Sequence, residues 1–102
     1  MEEKIQEIVR KIVQEYHPEK IILFGSWASG APNKNSDIDL LVVKESERDP
    51  LERIREVHRI LWDTDAAVDA LVYTPDQAER RLRMGDPFLR KIFNAGRVLY
   101  AR

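Results

Sequence analysis

The chain contains no cysteine and only two histidines, His17 and His58, among its 102 residues. Without thiols it has neither a disulfide framework nor a thiolate nucleophile, and two histidines are too few for a histidine-rich zinc site. Any metal it binds should therefore be a hard ion held by oxygen. Glycine (4) is sparse and proline (5) no more than ordinary, in line with the lack of low-complexity segments. No apolar run approaches the roughly 18 residues needed to span a bilayer. The N-terminal stretch MEEKIQEIVRK is acidic and amphipathic, unlike a secretory leader, so a cytoplasmic location without membrane contact is expected.

What is present is the composition of a folded domain, 43% hydrophobic and 34% charged. The length suits one domain, residues 1–102, and is short for a catalytic module plus a separate substrate-binding domain. The net charge of -1 hides an uneven distribution. Residues 1–75 carry 15 acidic and 10 basic side chains, residues 76–102 carry 3 and 7. The basic C-terminal part could face an anionic substrate, although a solvated helix face is the simpler reading, and direct nucleic-acid binding gains little support.

Apolar residues Ile5, Ile8, Val9, Ile12, Val13 and Tyr16 recur at intervals of three and four, which predicts an amphipathic helix over 3–16 ending before Pro18. Ile21 to Phe24 are apolar without alternation, as in a strand covered on both faces. Gly25-Ser26 ends that strand, and small residues continue to Gly30 around Trp27. After a loop, Ser36-Asp37 leads into Ile38-Asp39-Leu40-Leu41-Val42-Val43, the clearest strand of the chain. Leu51, Ile54, Val57, Leu61 and Trp62 form a second helical stripe, with Pro50 suited to its first turn. Residues 67–73 predict a third strand bearing Asp69, Thr74 a cap for a helix from Pro75, and 87–95 a last helix with Phe88, Leu89, Ile92 and Phe93 inward. Residues 97–100 could add a short edge strand. The fold class expected is α/β (α+β): a small mixed sheet of three to four strands with helices packed on it.

Strand side chains repeat every two residues, so Asp37 and Asp39 share a face, with Cα atoms roughly 6.5 Å apart. Uncompensated, the two carboxylates repel, and a shared hard cation removes the conflict. If the strand bearing Asp69 pairs alongside, a third carboxylate joins them and two metal ions become plausible. The Gly25-Ser26 bend suits phosphate, because glycine lets oxygens approach the backbone and serine offers an amide and a hydroxyl. A Walker A loop is absent, since Gly30 is followed by Ala31.

The combination of Gly25-Ser26-Trp27-Ala28-Ser29-Gly30 with Ser36-Asp37-Ile38-Asp39-Leu40-Leu41-Val42 resembles the signature of the DNA polymerase beta-like nucleotidyltransferase superfamily. Within it the chain is most similar to the minimal nucleotidyltransferases (MNT), and the resemblance covers nearly the whole sequence, including Val68-Asp69-Ala70-Leu71. It implies that ATP or another nucleoside triphosphate binds with one or two Mg²⁺ ions, with Gly25, Ser26 and Ser36 on the phosphates. Asp37, Asp39 and Asp69 are then the metal ligands and catalytic residues, and a nucleoside monophosphate passes to an acceptor hydroxyl. Relatives commonly carry arginine where this chain has Ser29, and serine cannot replace that charge. Larger members add a helical substrate domain, so here the acceptor is expected on a partner chain or across a homodimer. The resemblance implies the first: minimal nucleotidyltransferases pair with an all-helical HEPN toxin and act as antitoxins, by adenylylating a toxin tyrosine or by complex formation alone. Transfer to a small molecule, as in aminoglycoside-modifying relatives, is the third alternative.

Overall fold

The computed structural model describes residues 2–30 and 37–102. The chain begins with helix α1 (Glu2–Tyr16), followed by strand β1 (Lys20–Phe24), the single turn α2 (Ser26–Ser29) and strand β2 (Ile38–Val43). Then come α3 (Pro50–Ile60), β3 (Val68–Tyr73), α4 (Pro75–Arg83), α5 (Pro87–Ala95) and β4 (Arg97–Ala101). Among the described residues the four strands form one sheet in the order β3-β2-β1-β4. β1 runs antiparallel to both β2 and β4, whereas β2 and β3 are parallel and joined through α3. The sheet is thus mixed, as the sequence predicts, with the optional edge strand present.

Alternation along the strands divides the core in two. Ile21, Leu23, Ile38, Leu40, Val42, Ala70 and Val72 face α1 and α3, where Ile5, Ile8, Ile12 and Val57 meet them. Ile22 and Leu41 point the other way, against Leu89 and Ile92 of α5, with Phe24, Leu71, Tyr73 and Leu82 at the margin. Burying each such side chain stabilises the fold by about 1.5–3 kcal/mol relative to leaving it in water. Because both faces are covered, the strands read as continuous apolar runs, and a polar residue within them marks the end of the cover.

Helix starts follow one local recipe. Asp49, Thr74 and Asp86 are N-caps, each followed by proline at the first helical position. Asp49 accepts from the amide of Glu52 at 2.9 Å, and Asp86 from those of Phe88 (2.9 Å) and Leu89 (3.2 Å). Thr74 and Gln77 complete a reciprocal capping box, with both bonds at 3.1 Å. Gln77 Oε1 also accepts from Nη1 of Arg53 at 2.9 Å, an arginine on α3 that is only 2% exposed.

Three sequence expectations are corrected. Trp62 is not part of the apolar stripe of α3: Leu61 closes that helix, and Trp62 stands 87% exposed in the turn beyond it. Leu51 is likewise exposed, because the helix is rotated so that Arg53, Val57 and Leu61 face inward. Phe88 is not inward either but 49% exposed, at the edge of α5, while Leu89 and Ile92 are buried.

Candidate active site

The pairing of strands determines what can meet at the sheet's end. Asp39 of β2 lies opposite Asp69 of β3 on one side and opposite Phe24 of β1 on the other. Neighbouring strands are about 4.8 Å apart, so the two aspartates are adjacent rungs of one ladder. Asp39 shares a face with Leu41, and Asp69 with Leu71, so both carboxylates lie on the α4/α5 side, beyond the residues those helices cover. Asp37 precedes β2 by one residue and is exposed, as is Asp69, whereas Asp39 is half-buried.

These surroundings act on Asp39 electrostatically. Partial burial pushes its carboxyl above the usual carboxylate range, and the charges of Asp69 and then Asp37 push it further in the same direction. Among the described residues no cation offsets them. Oxygen donors in a partly desolvated setting, repelling one another, are the chemistry that a hard divalent cation relieves. The residues therefore fit Mg²⁺ by donor type. Among the described residues, however, no three His, Cys, Asp or Glu side chains stand close enough to hold one ion as they are, so the carboxylates are neighbours without being a preformed cage.

Gly25 follows Phe24 directly and adopts φ 75°, ψ -155°, a region essentially reserved for glycine. A Cβ at this position would collide with Oδ2 of Asp39 and lie 3.1 Å from its Cγ. The absent side chain thus admits the carboxylate, in addition to exposing the backbone as the sequence suggests. The carbonyl of Gly25 accepts from the amides of Ala28 and Ser29, both at 3.1 Å, which folds Ser26–Ser29 into one turn ended by Gly30 in the left-handed region. Trp27 packs half-buried against the core on the α1/α3 side. The hydroxyl of Ser29 donates to the carbonyl of Ser26 at 3.0 Å, a local bond that brings no charge to the loop.

The sequence-predicted residues thus separate clearly. Gly25 and Asp39 touch one volume, Asp69 and Asp37 act on Asp39, and Ser26 opens the adjacent turn. Ser36 lies outside the described residues. His58 is exposed on α3, which covers the opposite face of the sheet, and His17 ends α1 in the left-handed region with φ 54°. Of the C-terminal arginines, Arg81 pairs with the α5 cap Asp86 at 3.1 Å and Arg83 reaches Glu79 at 4.0 Å, in agreement with a solvated helix face.

One part of the site has no counterpart in the sequence reading. A cleft of about 490 Å³ opens between the α2 turn and α5, lined by Phe24, Gly25, Ser29, Phe88 and Lys91 among others. The rings of Phe24 and Phe88 meet edge to face across it, with centroids 5.8 Å apart. Residues 25 and 91 come to line one cleft only through the packing of α5 on β1, which no short spacing encodes.

The fold is that of the polymerase beta-like nucleotidyltransferases. A Sulfolobus solfataricus structure provisionally described as a nucleotidyltransferase superposes with a TM-score of 0.69 at 23% identity, covering 98% of this chain and 79% of that one. A toxin–antitoxin MntA-HepT structure gives 0.61 at 20% identity, covering 100% of this chain and 74% of that one. A toxin–antitoxin structure with AMP-PNP gives 0.59 at 24%, covering 95% and 73%. At the level of sequence, residues 3–100 match the nucleotidyltransferase domain family. A Methanocaldococcus jannaschii protein, provisionally named a protein adenylyltransferase, is 32% identical over 101 residues, 97% of each chain. The chain belongs to the nucleotidyltransferase domain family.

Proposed function

We propose that this protein transfers a nucleoside monophosphate, AMP from ATP, to a hydroxyl on a partner protein, a tyrosine of a HEPN toxin, and thereby acts as its antitoxin. The observation that carries the reading is the alignment of Asp39 with Asp69 beside Gly25. The name of the M. jannaschii relative supports protein as the acceptor class, and the toxin–antitoxin structures of the same fold support the partner.

In this reading Asp37, Asp39 and Asp69 hold Mg²⁺, which when bound neutralises charge on the phosphates and on the leaving pyrophosphate. Gly25 leaves the backbone approachable, and Ser26 contributes an amide and a hydroxyl toward phosphate oxygens, with Ser36 as a further phosphate contact. Asp69, at the exposed edge of the carboxylate row, orients the acceptor hydroxyl and accepts its proton. The acceptor oxygen forms its bond to the α-phosphorus as the bond to the β-phosphate oxygen breaks, and pyrophosphate departs. No covalent enzyme intermediate is involved, in keeping with the absence of cysteine.

The test is incubation with α-labelled ATP, Mg²⁺ and the protein encoded beside it. Label on a partner tyrosine that disappears with Asp39→Asn is the expected result, and an unlabelled partner overturns the catalytic reading. A second reading, neutralisation by binding alone, is favoured by Ser29, whose hydroxyl is engaged locally where a cation would hold phosphate. It requires an Asp37→Asn, Asp39→Asn protein to neutralise the toxin fully, and loss of neutralisation in that variant excludes it.

A further inference from the structure

We propose that Lys91 is a phosphate-positioning residue, reaching from α5 into the cleft beside Gly25 and supplying the cation that the loop lacks at Ser29. Gly25, Ser29 and Lys91 line the same 490 Å³ cleft, and Lys91 is the one charged residue among the described residues that line it. The side chain is exposed and forms no ion pair with any described residue. Nor does it offset the charges acting on Asp39, which among the described residues are those of Asp69 and Asp37 and are repulsive. An ammonium on a flexible four-carbon stem, unspent on the protein's own carboxylates, is suited to an anionic ligand.

The rest of the cleft narrows the class of anion. Phe24 and Phe88 present ring surface, and Ala28, Ile92 and Ala95 add apolar wall. The volume lies within the roughly 300–1,000 Å³ of ordinary small-molecule sites. A phosphate-bearing ligand with an apolar or aromatic portion meets both kinds of wall, whereas a bare carboxylate meets only the lysine. Lys91 is placed to meet the terminal phosphates, in a cleft that shares Gly25 with the Asp39 site but is lined by none of the three aspartates. This assignment rests on the reading that the carboxylate face binds a nucleoside triphosphate.

Calorimetry with Mg²⁺-ATP, Mg²⁺-tripolyphosphate and AMP tests it on five proteins: wild type, Lys91→Ala, Lys91→Arg, Lys91→Ala with Ser29→Arg, and Asp39→Asn. Loss of one charge-assisted contact weakens ATP and tripolyphosphate binding by about tenfold in Lys91→Ala. AMP, without the terminal phosphates, changes by less than about twofold. Lys91→Arg retains wild-type affinity, and Ser29→Arg restores it in the Lys91→Ala background, which a merely structural lysine would not allow. If Asp39→Asn abolishes ATP binding while Lys91→Ala leaves it unchanged, the Lys91 assignment is overturned and the nucleotide reading stands. If the wild type binds neither ATP nor tripolyphosphate, the nucleotide reading fails and takes this assignment with it. Lys91→Ala weakening association with a partner protein but not ATP binding would make the lysine a docking contact, and that too overturns the proposal.

Discussion

The Cα of Gly25 and the carboxylate of Asp39 are so close that a methyl group on the first would overlap Oδ2 of the second. A residue that ends one strand and a residue that opens the next are thereby held to a single arrangement. Gly30, four residues past the bend, offers an internal comparison: its φ is +81°, yet a Cβ there would meet none of the described residues within 4 Å.

The two glycines should respond differently to alanine. Gly30→Ala is expected to cost about 1–2 kcal/mol from the left-handed backbone and to leave Mg²⁺-ATP binding intact. Gly25→Ala carries backbone strain of about 1–3 kcal/mol and also displaces Asp39, so nucleotide binding and transfer should fall together. Denaturant melts beside calorimetry separate the two effects. Unchanged ATP binding in a folded Gly25→Ala protein would contradict the proposed role of the Asp39 position.

Repulsion within the carboxylate row gives the metal a measurable signature. Asp69→Asn removes the largest single charge acting on Asp39, so the metal-free variant should melt a few degrees above wild type, as expected for about 0.5–1 kcal/mol. Wild type should rise in melting temperature with millimolar Mg²⁺ and return on addition of EDTA, whereas Asp69→Asn should rise less. Equal Mg²⁺ responses in the two proteins would remove Asp69 from the ligand set.

At the other end of α1, burial and then the neighbouring Glu56 charge push the phenol of Tyr16 up to about 12, against an ordinary 10.0. Arg53 and Arg48 pull weakly the other way. Between these values the unfolded chain loses a proton that the folded chain keeps, so stability is fully present below pH 10 and falls as pH rises toward 12. The difference between wild type and Tyr16→Phe in denaturant midpoint isolates this group from the other alkaline titrations. It should be flat up to pH 10 and then change in favour of the phenylalanine protein.

Arg53 is the charged side chain most deeply enclosed among the described residues, and it links α3 to the cap of α4. Its Nη1 donates to Gln77 Oε1 at 2.9 Å and more weakly to the carbonyl of Val72 at 3.5 Å, while Nε is buried without a partner. Gln77→Ala leaves the guanidinium short of an acceptor and opens the capping box, for a loss of about 1–3 kcal/mol. Arg53→Ala should cost about 2–4 kcal/mol through the cavity it leaves, and Arg53→Met clearly less, because the stem's packing is kept. In a double-mutant cycle the two positions should be non-additive, and simple additivity would show that the bond contributes nothing.

Much of this architecture is written locally. Proline after Thr74 or Asp49 marks helix starts to the residue, and the apolar run from Ile38 to Val43 could only be a covered strand. The positions of the paired aspartates and of the glycine-serine bend were equally legible, since each is a short local pattern at a strand end. The partners of those patterns were not. That Asp69 stands level with Asp39 depends on β3 lying parallel beside β2, a pairing made through α3. Trp62 misleads because its spacing continues a stripe that the helix has already left, and Arg53 because a guanidinium is enclosed only when acceptors distant in sequence arrive to meet it. Lys91 reads as one more solvated base until the chain closes over Gly25.

The parallel seam between β2 and β3 has a consequence for how the chain reaches its native state. Turning β2 over by a one-residue slip would drive the charged group of Asp39 into the aliphatic interior beneath α1 and take Leu40 out of it, onto the α4/α5 face. Stranding an ionised carboxylate in that interior costs several kcal/mol, so misaligned forms are discarded as the chain folds. The acid proposed to hold the metal thus also proofreads the assembly of the sheet beneath it.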